Sequence, residues 1–208
     1  MRVTSFALGP LETNAYVVDN AGRALAIDPG GDPREILDFL RDEKLSLETI
    51  LATHLHFDHI FGNSALAKAT GAPIMASRAD EFLLDTPVGG GGFMGFPKVP
   101  DFEFTPLEEG PAEFIGLACH VLATPGHTPG SLSFHFPQGR SVFVGDLLFY
   151  RSVGRTDFPG GSLEALKLSV RDKIFSLPKE TVVYSGHGPE TSVGDEELNN
   201  PFLSAFAD

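Results

Sequence analysis

Four side chains able to ligate a metal fall within seven residues, Thr53-His54-Leu55-His56-Phe57-Asp58-His59, a run that holds three of the chain's seven histidines. On a helix, residues two apart point about 160° away from each other, so His54 and His56 could not share an ion there; on an extended segment they face the same side. Asp58 and His59 would diverge on a strand. At a tip where a strand turns into the next helix, they can reach a second point nearby. The spacing therefore proposes two ligand sets for two cations. Imidazole suits zinc and iron, and one carboxylate per site is common in catalytic centres that keep an open position. The bland alternative is a polar, hydrogen-bonded loop, which gives no reason for four ligand side chains in so short a run.

Two metals need further ligands, and other predicted strand ends supply them. ATPGHTPGS places His127 in a Gly/Pro turn after a strand ending near Thr124. SVFVGDLLF places Asp146 one residue past Gly145, and VVYSGHGPET repeats the device with His187. Singly, each reads equally well as a loop residue. Together they repeat one strand–Gly–ligand arrangement. His120 and His135 fall inside predicted strands and read as ordinary half-buried or surface histidines, and Cys119 reads as a small core residue rather than a nucleophile.

The elements that must position these residues alternate along the chain. TSFAL, NAYVV and RALAID are β-prone runs separated by turn-forming residues, PREILDFLRDEKL has helical periodicity, and ETILATH reads as a buried strand ending on the histidine run. NSALAKATG reads as a helix stopped by Gly71, PIMAS as a strand and RADEFLLD as a short helix. Strands are expected near Phe102–Phe104, Glu113–Thr124, Ser131–Phe136 and Ser141–Val144. A helix over SLEALKLSVRDKIFSL follows, with Ser162 as N-cap, and TVVYSG is the last expected strand. Strands with helices in both halves predict two sheets covered by helices rather than a doubly wound sheet. Between Pro87 and Pro100, four consecutive glycines precede Phe93, Met94 and Phe96. This segment is expected to be a mobile surface loop, either a flap over substrate or an insertion with incidental aromatics.

Composition narrows the function classes. The 208 residues, 42% hydrophobic, can fill a substantial core, and no run approaches the roughly 18–20 apolar residues of a membrane span. With no leader-like start and a single cysteine, the expected location is cytoplasmic. The net charge of −13 and the lack of a segregated basic patch argue against nucleic acid as a partner.

HLHFDH, TPGHTPGS, Gly145-Asp146 and GHGPET, in that order, resemble the metallo-β-lactamase fold superfamily over essentially the whole chain. The resemblance implies an αββα sandwich, residues 1–208 forming one hydrolase domain, with a dinuclear site at one edge. It puts His54, His56 and His127 on the first metal and Asp58, His59 and His187 on the second. Asp146 would bridge them, and a hydroxide would fill the remaining shared position. The implied cofactors are two divalent ions, zinc first, with iron or a mixed pair as alternatives.

His56 stands against the flavodiiron branch and Asp146 against true β-lactamases, while GRTDFPGG resembles small, single-domain glyoxalase II-like proteins and also persulfide dioxygenases. Arg155 stands where the best-known glyoxalase II enzymes carry Lys, and Asp157 near the place of their Tyr. The chain ends about twenty residues past His187, with no Lys or Arg after Lys179. A separate C-terminal glutathione-binding domain is therefore not expected. The leading expectation is a thioesterase of glyoxalase II type acting on S-lactoylglutathione or a related small acyl-thiol, because a thiolate leaves without a general acid. In this reading Asp58 also aims the nucleophile, Asp146 is catalytic as the bridge, and Arg155, Asp157, Phe93 and Phe96 contact substrate. Arg155 would bind an anionic group or, equally well, simply pair with Asp157. The alternatives are a mononuclear iron dioxygenase acting on glutathione persulfide, another metallohydrolase of the fold, and a non-catalytic metal-binding descendant. Asp28 in AIDPGG is either a partner of a metal histidine or an ordinary turn residue.

Overall fold

The three β-prone runs at the start of the chain form an antiparallel meander, β1 (Arg2–Leu8), β2 (Thr13–Asn20) and β3 (Arg23–Ile27). Helical crossovers then add β4 (Ser46–Leu51), β5 (Ile74–Ala76) and the edge strand β6 (Thr105–Pro106) in parallel, which gives a six-stranded mixed sheet in sequence order. The computed structural model describes residues 1–203. Within it, the chain divides into two compact units, Met1–Leu107 with Glu113–Leu117, and Glu108–Ala112 with the residues from 118 onward.

In the first unit, helix α1 (Arg34–Asp42) buries Ile36 and Leu40, one turn apart, and α3 (Asn63–Thr70) buries Leu66. These side chains pack with Val17, Ala26, Ile50 and Ile74, which form one cross-strand row on the sheet. Each fully buried Leu or Ile contributes about 1.5–3 kcal/mol of hydrophobic stabilisation. Gly71 closes α3 in the left-handed conformation (φ 76°), as the sequence predicts.

The second sheet is also mixed, in the order β14-β13-β10-β9-β8-β7. Its strands are β7 (Gly110–Phe114), β8 (Leu117–Ala123), β9 (Leu132–Phe136), β10 (Ser141–Gly145), β13 (Val182–Ser185) and β14 (Thr191–Ser192), with β11 (Leu148–Phe149) and β12 (Ser152–Val153) as a separate small hairpin. Helix α5 (Leu163–Ser169) is capped by the Ser162 hydroxyl, which accepts from the Ala165 N–H, and it runs on into a π turn over Val170–Ile174. Leu166, Val170 and Ile174 pack on Val142, Val144 and Val183. The two mixed sheets with helices agree with the sequence reading. No helix among the described residues is long and apolar enough to cross a membrane.

Several local expectations need correction. β4 ends at Leu51, three residues before His54, because the backbone N–H of Thr53 is taken by the Asp28 carboxylate rather than by a neighbouring strand. Phe102–Phe104 is not a strand; Phe102 and Phe104 are partly buried aromatics packed on the first unit's core ahead of β6. The expected long strand over Glu113–Thr124 is a hairpin broken at Ile115 (φ 51°) and Gly116 (φ 75°). TVVYSG is followed by β14 and by α6 (Val193–Asn199), which was not expected. The glycine segment is folded: α4 (Pro87–Gly90) opens it, and hydrogen bonds from Gly92 N to Pro97 O (3.1 Å) and Val99 N to Gly90 O (2.8 Å) close it. At its start Gly89 packs against the Leu83 carbonyl, where a Cβ would lie at 2.3 Å.

Candidate metal centre

In the first unit the chain leaves β4, stays extended at His56 (φ −80°, ψ 145°) and enters the single turn α2 (Phe57–Ile60). This is the strand-to-helix tip that the sequence reading required. His54, His56 and His59 are buried, with ring centroids 4.7 Å apart for His54–His56 and 4.1 Å for His54–His59. The loop between the first two histidines is pinned by the buried Asp80, which accepts the Leu55 N–H (3.3 Å).

Asp28 controls the histidine protons. Its Oδ1 accepts the Thr53 N–H (2.7 Å), and its Oδ2 lies 2.6 Å from Thr53 Oγ1 and 2.9 Å from His59 Nδ1. Thr53 Oγ1 is also 3.0 Å from His54 Nδ1. A carboxylate only accepts, so Thr53 donates its hydroxyl proton to Asp28 and must itself accept from His54 Nδ1–H. One carboxylate thus fixes the Nδ1–H tautomer of His59 directly and of His54 through Thr53, leaving both Nε2 lone pairs for a cation. Asp28 lies with His54 and His59 in a group whose ligand-capable atoms all fall within 4.8 Å. Its oxygens are committed to N–H and O–H donors, so its role is to orient ligands. The Thr13 hydroxyl donates to Asp58 Oδ2 (3.2 Å), which sits 3.7 Å from His59 Nε2.

In the second unit, β10 and β13 run parallel, with a register shift near Gly145, so their carboxyl ends lie together. Asp146 and His187 follow those two ends. The bond from Gly186 N to Gly145 O (2.8 Å) sets their relation. Asp146 Oδ2 is 3.6 Å from His127 Nε2 and 3.7 Å from His187 Nε2. The Arg155 carbonyl accepts from His127 Nδ1 at 2.7 Å, which again puts the ring proton on Nδ1. Gly154 permits this arrangement, since a Cβ there would lie 1.7 Å from the Asp146 carbonyl oxygen.

The donor chemistry fits a metal. The separations of 3.6, 3.7 and 3.7 Å are too long for hydrogen bonds. They are close to the spacing of two ligands on one ion: metal–ligand bonds of about 2.0–2.2 Å at tetrahedral angles put the ligand atoms roughly 3.3–3.6 Å apart, and opening the angle to about 115° gives about 3.7 Å. The donors are imidazole nitrogens and carboxylate oxygens, a set suited to zinc or iron. The one cysteine does not take part: Cys119 is buried in β8, and burial pushes its thiol up to about 12.

The remaining expected site residues are placed as follows. Asp157 holds the Arg155 guanidinium through two 2.7 Å bonds, and the same guanidinium lies 4.0 Å over the Phe158 ring. This pairing draws the Asp157 carboxyl down to about 2. Phe93 and Phe96 pack on Phe57, at ring separations of 5.6 and 4.9 Å, beside the ligand run. His120 and His135 face each other on β8 and β9, with His120 exposed and His135 buried; burial, then the neighbouring His120, holds the His135 imidazole below its ordinary range. Sequence reasoning missed Thr13, Thr53, Asp80 and the Arg155 carbonyl. Of these only Thr53 offered a hint, by its place directly before His54.

The metallo-beta-lactamase superfamily model matches residues 8–187. The chain is 36% identical over 210 residues to the probable metallo-hydrolase YqgX of Bacillus subtilis, covering 100% of both chains. It is 34% identical over 197 residues to the hydroxyacylglutathione hydrolase GloC of Haemophilus influenzae, covering 92% of each. Among solved structures, BLEG-1 B3 metallo-beta-lactamase superposes with a TM-score of 0.92 at 36% identity, covering 98% of this chain and 100% of that one. TTHA1623, solved in a di-iron-bound form, superposes with a TM-score of 0.87 at 39% identity, covering 96% and 100%. The ordered histidine and aspartate motifs, the two mixed sheets and these full-length similarities together establish that the chain belongs to the metallo-β-lactamase superfamily.

Proposed function

We propose that this protein is a metal-dependent hydrolase whose substrate is a small thioester. The observation that carries the reading is that each unit presents its own portion of a nitrogen and oxygen donor set, with the Nδ1 protons of His54, His59 and His127 already committed elsewhere. In the proposed centre, His54, His56 and His127 hold one cation, Asp58, His59 and His187 hold the other, and Asp146 is shared. Two such ions supply a water of lowered pKa and a Lewis acid for the substrate carbonyl.

The protein's own groups do the rest. Asp28, Thr53 and the Arg155 carbonyl keep the imidazoles in the ligating tautomer. Thr13 steadies the Asp58 carboxylate, whose remaining lone pairs orient the attacking water. Those three imidazoles hold no spare proton for a leaving group, because their Nδ1–H bonds are spent on orientation. This favours a group that departs unprotonated, and a thiol with a free pKa of about 8.5 does so far more readily than an amide nitrogen. The similarity to a relative named hydroxyacylglutathione hydrolase supports the same class.

The stretch GRTDF, Gly154 to Phe158, which resembles persulfide dioxygenases, favours one second reading: a single iron in part of the same donor set, acting on a glutathione persulfide with oxygen. The test measures metals per chain in protein purified without added metal, together with S-lactoylglutathione hydrolysis, cephalosporin hydrolysis and oxygen uptake with glutathione persulfide. About two metals with thioester cleavage is the expected result. About one iron with oxygen uptake, or cephalosporin turnover far above thioester turnover, overturns it.

A further inference from the structure

Beside Asp58, the first unit contains a cavity of about 180 Å³ with an almost wholly apolar lining. Its side chains come from Leu8 at the end of β1, Pro10 and Leu11 of the β1–β2 turn, Phe57 and Phe61 around α2, and Pro97 of the glycine segment. The remaining wall is bare backbone at Gly30 and Gly31, where the chain runs too close to its neighbours to carry side chains. A Cβ on Gly30 would lie 1.6 Å from the Asp58 carbonyl oxygen, and one on Gly31 would lie 2.4 Å from the Gly9 nitrogen. This close packing fixes the cavity's shape. The charged residues at its boundary are Asp32 and Asp58, and no lysine or arginine lines it.

The volume, about six times the ~30 Å³ share of one liquid water, admits a group of roughly four to six carbons. Asp32 is paired with Arg34 (2.9 Å) and Asp58 belongs to the proposed ligand set, so the exclusion comes from the lining itself: an anionic group or a hydroxyl buried there loses its hydration and gains no partner. Asp58 is shared by this cavity and the proposed ligand set, so a substrate reacting there has part of itself within reach of the cavity.

From this, and resting on the thioesterase reading, we infer that the cavity is a specificity pocket: the substrate carries a compact, uncharged aliphatic group of about four to six carbons that seats between Leu8, Leu11, Phe57 and Phe61. That group belongs either to the acyl half or to the thiol half. In either case the pocket disfavours the carboxylate-bearing arms of glutathione.

Two thioester series on the metal-loaded protein test this. One lengthens the acyl chain from acetyl to octanoyl on a fixed thiol; the other lengthens an alkyl thiol on a fixed acyl group, with a mercaptocarboxylate of matched length as the charged control. The expected result is a rise in kcat/KM of at least about tenfold up to four to six carbons in one series, with the charged control near the bottom, and the responding series identifies the half. Leu11, which is 43% exposed, can be changed without opening the core. Leu11→Asp should abolish the length dependence, and Leu11→Met should restore it. Independently of turnover, titration with pentan-1-ol should shift the Leu8 and Leu11 methyl resonances. A flat response in both series, equal turnover of the charged control, or unmoved methyl resonances overturns the pocket. Shifted methyl resonances with no turnover of any thioester would instead overturn the thioesterase reading, and with it the assignment of the pocket's occupant as part of a thioester.

Discussion

Asp28→Asn isolates the proton network behind the metal ligands. Asp28 has φ 50°, a conformation asparagine tolerates, so the exchange leaves the backbone in place. The carboxylate accepts three bonds, two from Thr53 and one from His59. An amide that keeps its oxygen toward the Thr53 N–H turns its NH2 toward His59 Nδ1–H, donor against donor. That conflict is relieved only by moving the imidazole proton to Nε2, which removes the lone pair a cation needs. The opposite amide orientation sets donor against donor at the Thr53 N–H, where leaving a buried group unsatisfied costs about 1–3 kcal/mol. Loss of such an orienting partner lowers metal affinity about 10–100-fold, or roughly 1.4–2.7 kcal/mol. Zinc titration against a competing chelator reads the affinity, and hydrolysis at saturating zinc should recover much of the wild-type rate. An Asn variant that binds both ions as tightly as wild type would refute the claim that Asp28 sets the tautomers.

Other perturbations probe separate parts of the structure. Asp146→Ala should reduce bound metal from about two ions per chain to one or fewer, read by elemental analysis after gel filtration; near-normal content would remove Asp146 as the shared ligand. Gly154→Ala forces a methyl against the Asp146 carbonyl oxygen, 1.7 Å from the ideal Cβ. Overpacking of this kind costs about 1–3 kcal/mol, which at roughly 2–4 °C per kcal/mol lowers Tm by about 2–12 °C; an unchanged melting curve would contradict the packing. Cys119, with its thiol raised to about 12, should resist iodoacetamide at pH 8 in the native protein and react at once when unfolded. The unfolded thiol ionises near pH 8.5, so this burial leaves stability unchanged below that pH and lowers it as pH rises beyond. Native-state labelling at the rate of a free thiol would refute the burial.

Much of the site was legible because its residues cannot be explained by packing. Imidazoles and a carboxylate two and one residues apart make sense only at an extended-to-helical tip, and His56 and α2 form that tip. Ser162 and Gly71 marked helix ends by mechanisms confined to a few neighbouring residues, and both held. What escaped depends on residues far apart in sequence. Asp28 reads as an Asp-Pro-Gly turn until Thr53 and His59 are brought to it, and the Arg155 carbonyl carries no trace in a side chain. Helix α6 was missed because VGDEELN has no apolar periodicity. It is secured instead by Glu196, fully buried and bound by Arg151 (2.8 Å), Thr191 (2.7 Å) and Asn200 (2.8 Å), an arrangement no local pattern announces.

The Asp28 network has a consequence for how the protein acquires metal. The relay from His54 through Thr53 to Asp28 and on to His59 joins two imidazoles that, on the proposed assignment, serve different cations. Both Nδ1 protons are already committed by the fold, so neither imidazole has to move a proton when a cation arrives. A perturbation anywhere along the relay therefore reaches both ligands together rather than one at a time.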